Sequence, residues 1–213
     1  YQDKKFSIKN PKRSFNQYLN KEKGKQEEFG YRESKNYGSV RQYFSEMSNG
    51  QFTPQFDIVG PVTLPDDMTF YGGTSSTGND ERTAQMVVDA CELVKDSVDF
   101  SLYDSNNDGY VDLVYVIYAG YGQSMGAANN TVWPKATYVR SQAEYNGKKI
   151  YRAGVNNELI GNENAFNGEP AITGLGLFIH EFSHCLGLPD FYASTLTSSI
   201  YDNQGMEDWS VMD

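Results

Sequence analysis

The sequence predicts a single domain of the α/β or α+β class, and three observations support this prediction. The chain has 213 residues, which is enough for one domain of ordinary size. Aromatic residues make up 14% of it, so it can bury a core and is not expected to be disordered. Apolar residues recur at both helical and strand-like spacings, without internal repeats.

The charge and hydropathy of the chain exclude some classes of function. Its 18 basic and 28 acidic residues give a net charge of −10, which argues against a nucleic-acid-binding surface. Eight of the 18 basic residues lie within the first 25 positions, where we expect a solvated face rather than a site for an anionic partner. The longest apolar runs, such as residues 111–119, are too short to span a membrane. Nothing in the composition indicates an oligomeric state.

The first half of the chain predicts two helices separated by an edge strand. Residues 16–36 are polar and typical of a surface loop. Ser39 is suited to cap, and Gly50 to end, a short amphipathic helix. Residues 52–64 alternate around two prolines, which indicates a strand at a sheet edge. A longer helix is predicted over residues 79–100, with an apolar face made of Met86, Val87, Ala90, Leu93 and Val94.

The second half predicts strands followed by one apolar helix. Residues 111–119 are β-branched and aromatic, and residues 132–140 and 149–155 also have strand-like patterns. A loop over residues 161–170 then leads into a helix over residues 171–186.

The two cysteines are expected to be buried free thiols. Cys91 and Cys185 both lie in predicted helices among apolar neighbours, and neither has the spacing of a metal site. A disulfide between them remains open at this stage, so the cysteines do not decide the redox compartment.

Both histidines of the chain lie in one pentapeptide, His180-Glu181-Phe182-Ser183-His184. On a helix, positions i and i+4 share a face, so the two imidazoles project side by side. Two imidazoles at that spacing suit Zn²⁺, and Glu181 lies about 100° round the helix, where it can act as a general base on a water. The alternative is a buried helix with hydrogen-bonded core histidines, which the acid between them makes a weak explanation.

The third zinc ligand is expected to be a carboxylate, because the chain has no third histidine. Gly187 can end the helix with a positive φ and Pro189 prevents its resumption, so the chain can turn and bring Asp190 beneath the metal. Three protein ligands with a fourth position left for water are typical of a catalytic zinc. Glu207 is the rival third ligand, although Gly205 beside it makes a helix there unfavourable.

The run from His180 to Asp190, HEFSHCLGLPD, resembles the extended HExxHxxGxxD signature of the immune-inhibitor-A-like secreted bacterial metalloproteases, a group with metzincin-like architecture. The segment Trp209-Ser210-Val211-Met212-Asp213 resembles the Met-turn of that group, in which Met212 would lie under the zinc. Shorter similarities at residues 38–50, 59–62, 132–134 and 174–176 extend the likeness over nearly the whole chain.

The resemblance implies a fold and a location. The fold would be a metzincin-like zincin catalytic domain, with a mixed twisted sheet, an active-site helix and a Met-turn. Residues 1–213 would form one catalytic domain, in which residues 1–186 are an upper subdomain and residues 187–213 the beginning of a lower subdomain that is cut off. The protein would be secreted, at the cell surface or periplasmic, and would act on protein or peptide substrates.

The resemblance also implies a zinc endopeptidase with His180, His184 and Asp190 as ligands and Glu181 as the base that takes a proton from the attacking water. Two positions depart from the family pattern. Lys135 stands where relatives usually carry His, and Gln123 lies near a position that is often Glu. These departures leave substrate contacts at both positions open without affecting the predicted metal site.

A second metal site is predicted in the loop that precedes the first strand of the second half. Oxygen ligands for a structural Ca²⁺ occupy positions 1, 3, 5, 7 and 9 of an EF-hand-like loop, namely Asp104, Asn106, Asp108, the Tyr110 carbonyl and Asp112. Gly109 at position 6 permits the sharp turn. Position 12 is Tyr115, which cannot replace the usual Glu, so Asp99 or Glu158 would have to contribute. The alternative is an Asn/Asp-rich turn that binds no ion.

Two other functional classes remain open. One is a calcium-stabilised binding or adhesion module with a vestigial zinc site, against which the retained Glu181 argues. The other is a zinc hydrolase that acts on non-peptide substrates. A protein-cleavage assay with and without a chelator distinguishes the endopeptidase from both.

Overall fold

A computed structural model describes residues 1–22, 24, 26, 36–73, 80, 82–192, 206 and 209–213. Over these residues the helices are α1 (Pro11–Asn20), α2 (Val40–Met47), α3 (Met68–Tyr71), α4 (Thr83–Val94) and α5 (Leu175–Cys185). The strands are β1 (Val114–Tyr121), β2 (Lys135–Tyr138), β3 (Glu144–Tyr145), β4 (Lys148–Lys149) and β5 (Arg152–Leu159). Short 3-10 turns cover Phe100–Tyr103, Gln123–Met125 and Ala165–Gly168. This mixture of helix and sheet confirms the predicted class.

The central sheet is mixed and has the strand order β1–β5–β2 over the described residues. β5 lies in the middle, parallel to β1 and antiparallel to β2. Its residues from Ala153 to Leu159 are all buried, as expected for a strand covered on both faces. β2 is therefore an edge strand, and its register places Ala136 opposite Gly154 and Tyr138 opposite Arg152. β3 and β4 form a separate small hairpin.

The sheet carries one apolar cluster on each face. On one face α4 packs Met86, Val87 and Cys91 in the same cluster as Val155 of β5. On the other face α5 inserts Phe178, whose ring centroid lies 4.0 Å from that of Tyr115 on β1 and 5.6 Å from that of Phe56. Burial of each such side chain contributes about 1.5–3 kcal/mol, so this packing fixes α5 against the sheet.

Most predicted elements are present with shifted bounds. Ser39 caps α2 as expected, because its side-chain oxygen accepts the backbone N–H of Gln42 at 3.1 Å. The two helices predicted at 79–100 and 171–186 are present as the shorter α4 and α5. Leu93 was expected on the buried face of α4 but is 49% exposed, so that assignment was wrong. Residue 79, where that helix was expected to begin, lies outside the described residues.

The loop predicted over residues 16–36 was wrong in its first part, since α1 extends to residue 20. The sequence contained the signals for this helix. Asn10 accepts the N–H of Arg13 as an N-cap, Pro11 occupies the first turn, and the buried side chains Phe15, Tyr18 and Leu19 recur at helical spacing.

The edge strand predicted over residues 52–64 was also wrong, because this segment is extended but belongs to no sheet of the described residues. Pro54 and Pro61 have no N–H for a ladder. A side chain satisfies the backbone instead: Asn20 Nδ2 donates to the Phe56 carbonyl at 2.7 Å, and the Phe56 N–H donates to Asn20 Oδ1 at 3.0 Å. The alternation reflects Phe56 and Ile58 packing against the aromatic cluster beside α5.

Both cysteines are buried and free, as predicted. Burial raises the pKa of each thiol to about 12, so both remain neutral packing groups at physiological pH. None of the described helices is long and apolar enough to cross a membrane.

Candidate metal centre

Helix α5 presents both histidines to one side. Phe178, Ile179 and Phe182 bury the opposite side, which leaves positions 180 and 184 at the surface of the helix. The Nε2 atoms of His180 and His184 lie 3.1 Å apart, and their side chains are 18% and 20% exposed. The i, i+4 spacing therefore brings the two imidazoles together, as expected.

The chain turns back directly after α5. Gly187 has φ +99°, which favours glycine, and its N–H donates to the His184 carbonyl at 2.9 Å. The Leu188 N–H donates to the Ser183 carbonyl at 3.0 Å, and the Arg152 guanidinium donates to the Cys185 carbonyl. Together these bonds satisfy the last carbonyls of the helix and fix the direction in which the chain leaves it.

This turn brings Asp190 to the two histidines. Its Oδ1 lies 3.4 Å from His180 Nε2 and 3.1 Å from His184 Nε2. Glu207, the rival third ligand, lies outside the described residues.

The three donor atoms fit a zinc ion. Tetrahedral zinc with ligand distances of about 2.0–2.1 Å separates its ligand atoms by about 3.3–3.4 Å, close to the observed 3.1, 3.1 and 3.4 Å. Asp190 Oδ1 is buried and has no hydrogen-bond donor among the described residues, which is costly for a carboxylate oxygen unless a cation lies beside it.

Backbone carbonyls behind the histidines set their tautomers. His180 Nδ1 lies 2.7 Å from the Val211 carbonyl oxygen, and His184 Nδ1 lies 2.8 Å from that of Leu188. Because a carbonyl only accepts, each neutral imidazole carries its proton on Nδ1 and turns a lone pair on Nε2 toward the other histidine and Asp190. In this tautomer three lone-pair donors face one another, an arrangement suited to a cation.

The segment at residues 209–213 lies against this centre. Met212 is 2% exposed, and its carbonyl accepts the Phe191 N–H at 2.9 Å, next to Asp190. Its own N–H donates to Ser210 Oγ at 3.1 Å. The predicted Met-turn methionine is thus buried beside the ligand loop, while Trp209 is 90% exposed.

Glu181 is buried beside the histidines, and its carboxylate lies within 4.8 Å of their ligand nitrogens. Burial raises the pKa of Glu181, while the histidines and the nearby backbone N–H of Ala136 act in the opposite direction. The expected general base therefore lies near the backbone of edge strand β2, which packs against α5. Sequence reasoning missed this proximity because it depends on how the helix packs on the sheet.

Tyr192 is a second residue that sequence reasoning missed. Its phenol lies beside the Asp190 carboxyl group, and burial together with this carboxylate raises the pKa of the phenol. The hydroxyl therefore remains protonated and can donate a hydrogen bond to the expected ligand. Its position two residues after Asp190 was the available signal.

The two departures from the family pattern have other partners. Lys135 Nζ lies 2.8 Å from Asp80 Oδ2, and the Asp80 side chain is only 1% exposed. The same Asp80 oxygen accepts the Trp133 N–H at 2.8 Å, so this ion pair anchors the beginning of β2. Gln123 lies in a 3-10 turn, where its N–H donates to the Val132 carbonyl.

The predicted calcium loop is ordered by its own hydrogen bonds. Asp104 accepts the backbone N–H groups of Asp108 and Gly109, both at 3.0 Å, and Gly109 has φ +88°. Asn106 Nδ2 donates to Asp108 Oδ2 at 2.9 Å, and the Ser105 N–H donates to Asp112 at 3.1 Å. These bonds form an EF-hand-like turn, but among the described residues the carboxylate oxygens of Asp104, Asp108 and Asp112 do not all lie within 4.8 Å of one another, as the ligand atoms of His180, Glu181 and His184 do.

A lysine occupies the position where the loop would hold a cation. Lys148 Nζ lies 2.6 Å from Asp104 Oδ2, and this contact holds the pKa of Asp104 below its usual range. The two further ligands suggested by sequence have other partners: Asp99 accepts from Ser101, and the buried Glu158 accepts from Ser7 and Gly120. Tyr115, at loop position 12, lies in β1 as expected.

Comparison with known proteins gives consistent results. A family model described as "Immune inhibitor A peptidase M6, catalytic domain" matches residues 9–213. "Immune inhibitor A" of Bacillus thuringiensis subsp. alesti is 27% identical over an alignment that covers 87% of this chain and 30% of the relative. "Pre-pro-metalloprotease PrtV" of Vibrio cholerae serotype O1 (strain M66-2) is 25% identical, over 83% of this chain and 21% of the relative. The chain thus spans less than a third of the length of these relatives.

Proposed function

The chain belongs to the immune inhibitor A peptidase M6 family, and from this premise we propose that it is a zinc-dependent endopeptidase of protein substrates. In this proposal His180, His184 and Asp190 bind the metal and Glu181 is the general base. The observation that carries it is the set of three donor atoms, 3.1–3.4 Å apart, with an otherwise unpartnered Asp190 oxygen among them. The separations of these atoms match those around a tetrahedral zinc, and one shared cation would satisfy all three.

The chain's own groups prepare the site for hydrolysis. Zinc, when bound, lowers the pKa of a water and polarises the scissile carbonyl. Glu181 accepts the proton of the attacking water and then donates it to the leaving amine. The carbonyls of Val211 and Leu188 hold the two imidazoles, so the expected metal ligands are oriented before substrate binds.

We propose that the substrate lies along β2. This strand is at the sheet edge in the described residues, and extended peptides commonly bind by adding a strand to such an edge. Helix α5, which carries Glu181, packs against this edge strand, so the scissile bond of an added strand would come next to the expected general base.

The proposal is tested by replacing the base while keeping the metal. Glu181→Gln should lower kcat/KM for casein or a fluorogenic peptide by about 10²- to 10⁴-fold, because the amide cannot accept the proton. Its zinc content, measured by metal analysis, should equal that of the unaltered protein. Glu144→Gln, at an exposed position in β3, is the matched control and should retain full activity.

Two results would contradict the proposal. Full hydrolysis by zinc-loaded Glu181→Gln would remove Glu181 from the mechanism. Absence of chelator-sensitive protein cleavage by the unaltered protein would favour a binding module or a hydrolase of other substrates.

We also propose the domain organisation and location that the family implies. Residues 1–213 act as one catalytic domain, with the substrate cleft between residues 1–186 and residues 187–213, and the protein is exported. The turn at Gly187 supports the boundary, because the chain changes direction there immediately after α5.

Finally, we propose that loop 104–112 binds Ca²⁺ in a structural role. The loop conformation supports this, since Asp104 accepts the N–H groups of loop positions 5 and 6 and Gly109 makes the sharp turn. Calcium would have to displace the Lys148 ammonium from Asp104, so the affinity depends on the loss of that ion pair.

A further inference from the structure

Three tyrosines form a row at the end of the edge strand. The ring centroid of Tyr151 lies 5.1 Å from that of Tyr138 and 5.8 Å from that of Tyr110. Their exposed fractions are 50% for Tyr138, 47% for Tyr151 and 41% for Tyr110. We call these three residues the tyrosine row. Its members touch one another yet leave close to half of their surface in water.

The tyrosine row begins on β2, the edge strand that packs against the helix carrying Glu181 and both histidines. Tyr138 lies two residues after Ala136, so both project from the same face of β2, about 7 Å apart. Opposite Tyr138 in the sheet is Arg152, whose guanidinium donates to the last turn of α5. The row therefore continues the surface that starts at Glu181, toward the carboxyl end of the metal-binding helix.

The three tyrosines are distant in the sequence, which favours a functional role for the row over local packing alone. Tyr110 comes from the predicted calcium loop, Tyr138 from β2 and Tyr151 from the residue before β5, so tertiary structure alone brings them together. Single exposed aromatic residues are ordinary on protein surfaces, but contiguous ones mark binding surfaces. Their rings offer apolar faces and no formal charge, which suits an apolar or aromatic side chain.

We propose that the tyrosine row is a substrate subsite that receives a large apolar or aromatic side chain, two or three residues from the scissile bond. This inference rests on the proposed function, because the occupant is the substrate strand that lies along β2. Alternate residues of such a strand face the same side of the sheet, so the one that follows past Glu181 comes opposite Tyr138. The row would then contribute to the sequence preference of the enzyme.

Binding to an inactive variant tests the row separately from catalysis. In the Glu181→Gln protein, the dissociation constants of two fluorescein-labelled octapeptides of Ala and Gly are measured by anisotropy. One carries a single Phe and the other a single Ser at the same position, and the position is moved along the peptide. At the best position the Phe peptide should bind about three- to tenfold more tightly.

Substitutions within the row should abolish this preference. Tyr138→Ser and Tyr151→Ser should each bring the ratio of the two dissociation constants to about one, whereas Tyr138→Phe should retain it because the ring remains. Tyr37→Ser, at an exposed tyrosine outside the row, is the control and should leave the ratio unchanged.

The result that would overturn the proposal is a ratio that is unchanged in both serine variants, or a ratio of one at every position in the parent. Thermal melting of each variant separates loss of the subsite from loss of the fold. A different pair of results is that the Glu181→Gln protein prefers the Phe peptide while the unaltered protein cleaves no protein substrate. That pair of results would support the tyrosine row and overturn the proposed function instead.

Discussion

The two predicted metal sites differ in the partners that the chain itself provides for their ligand atoms. At the zinc centre, His180 Nε2, His184 Nε2 and Asp190 Oδ1 face one another, and the Asp190 oxygen has no donor among the described residues. In the calcium loop, Asp104 accepts two backbone N–H groups and the ammonium of Lys148. At the first site the described part of the chain leaves a buried acceptor without a partner, and at the second the chain itself supplies a cation.

This comparison shows that a spacing motif is weaker evidence than the partners of its ligands. Both motifs place the correct atom types at the correct positions. Buried polar atoms must be satisfied, so atoms that the chain leaves unsatisfied point to a missing ligand, whereas an ion must displace the existing partners of atoms that the chain already satisfies. Glu158 is a third case, since it is a fully buried carboxylate that accepts from Ser7 and Gly120 and needs no ion.

The largest effect is expected when the unsatisfied oxygen is removed. Asp190→Ala should weaken zinc binding by more than about 100-fold, beyond the loss usual for an outer hydrogen-bond partner. Competition with a chromogenic chelator measures the affinity, and Asp96→Ala on the exposed surface after α4 is the matched control. Retention of full zinc affinity by Asp190→Ala would indicate another third ligand. The unpartnered Asp190 oxygen would then not mark a metal ligand.

A smaller effect on the same site is expected from Tyr192→Phe. Loss of the hydroxyl frees the Asp190 carboxylate to rotate, so zinc affinity should fall by about 10- to 100-fold. The same chelator competition measures it, with Tyr37→Phe as control. An unchanged affinity would show that the ligand is held by the Gly187 turn alone.

Glu158 tests the case in which hydrogen bonds replace an ion. Glu158→Gln puts an NH₂ group among donors, so at least one buried group loses its partner, and the free energy of unfolding should fall by about 1–3 kcal/mol. Urea denaturation measures this, and Glu144→Gln should show no change. Equal stability of both variants would mean that the site rearranges around the amide.

The smallest effect is expected in the calcium loop. Lys148→Met removes the internal cation, so Ca²⁺ should bind several-fold more tightly and raise the melting temperature more than it does in the unaltered protein. Calorimetric titration of the two proteins with Ca²⁺, and with Mg²⁺ as control, provides the measurement. If neither protein responds to Ca²⁺, the loop is an Asn/Asp-rich turn without a metal.

Local features of the sequence predicted a large part of this structure. Ser39 predicted the cap of α2, and the apolar neighbours of Cys91 and Cys185 predicted buried thiols. The helical spacing of Phe15, Tyr18 and Leu19 was equally local but was outweighed by the polar residues around it. The extended segment around Phe56 was misassigned because its hydrogen-bond partner, Asn20, is a side chain distant in the sequence.

At the metal centre the sequence by itself determined the pair of imidazoles on one helical face and the turn that follows it. Both depend on helix periodicity and on the conformational range of Gly187, which act over a few residues. Only the tertiary structure decided that the Val211 carbonyl orients His180, that Glu181 lies near the backbone of β2 and that Lys148 pairs with Asp104 of the predicted calcium loop. Backbone groups take part in the first two and are the same at nearly every position, and all three involve residues brought together only by folding.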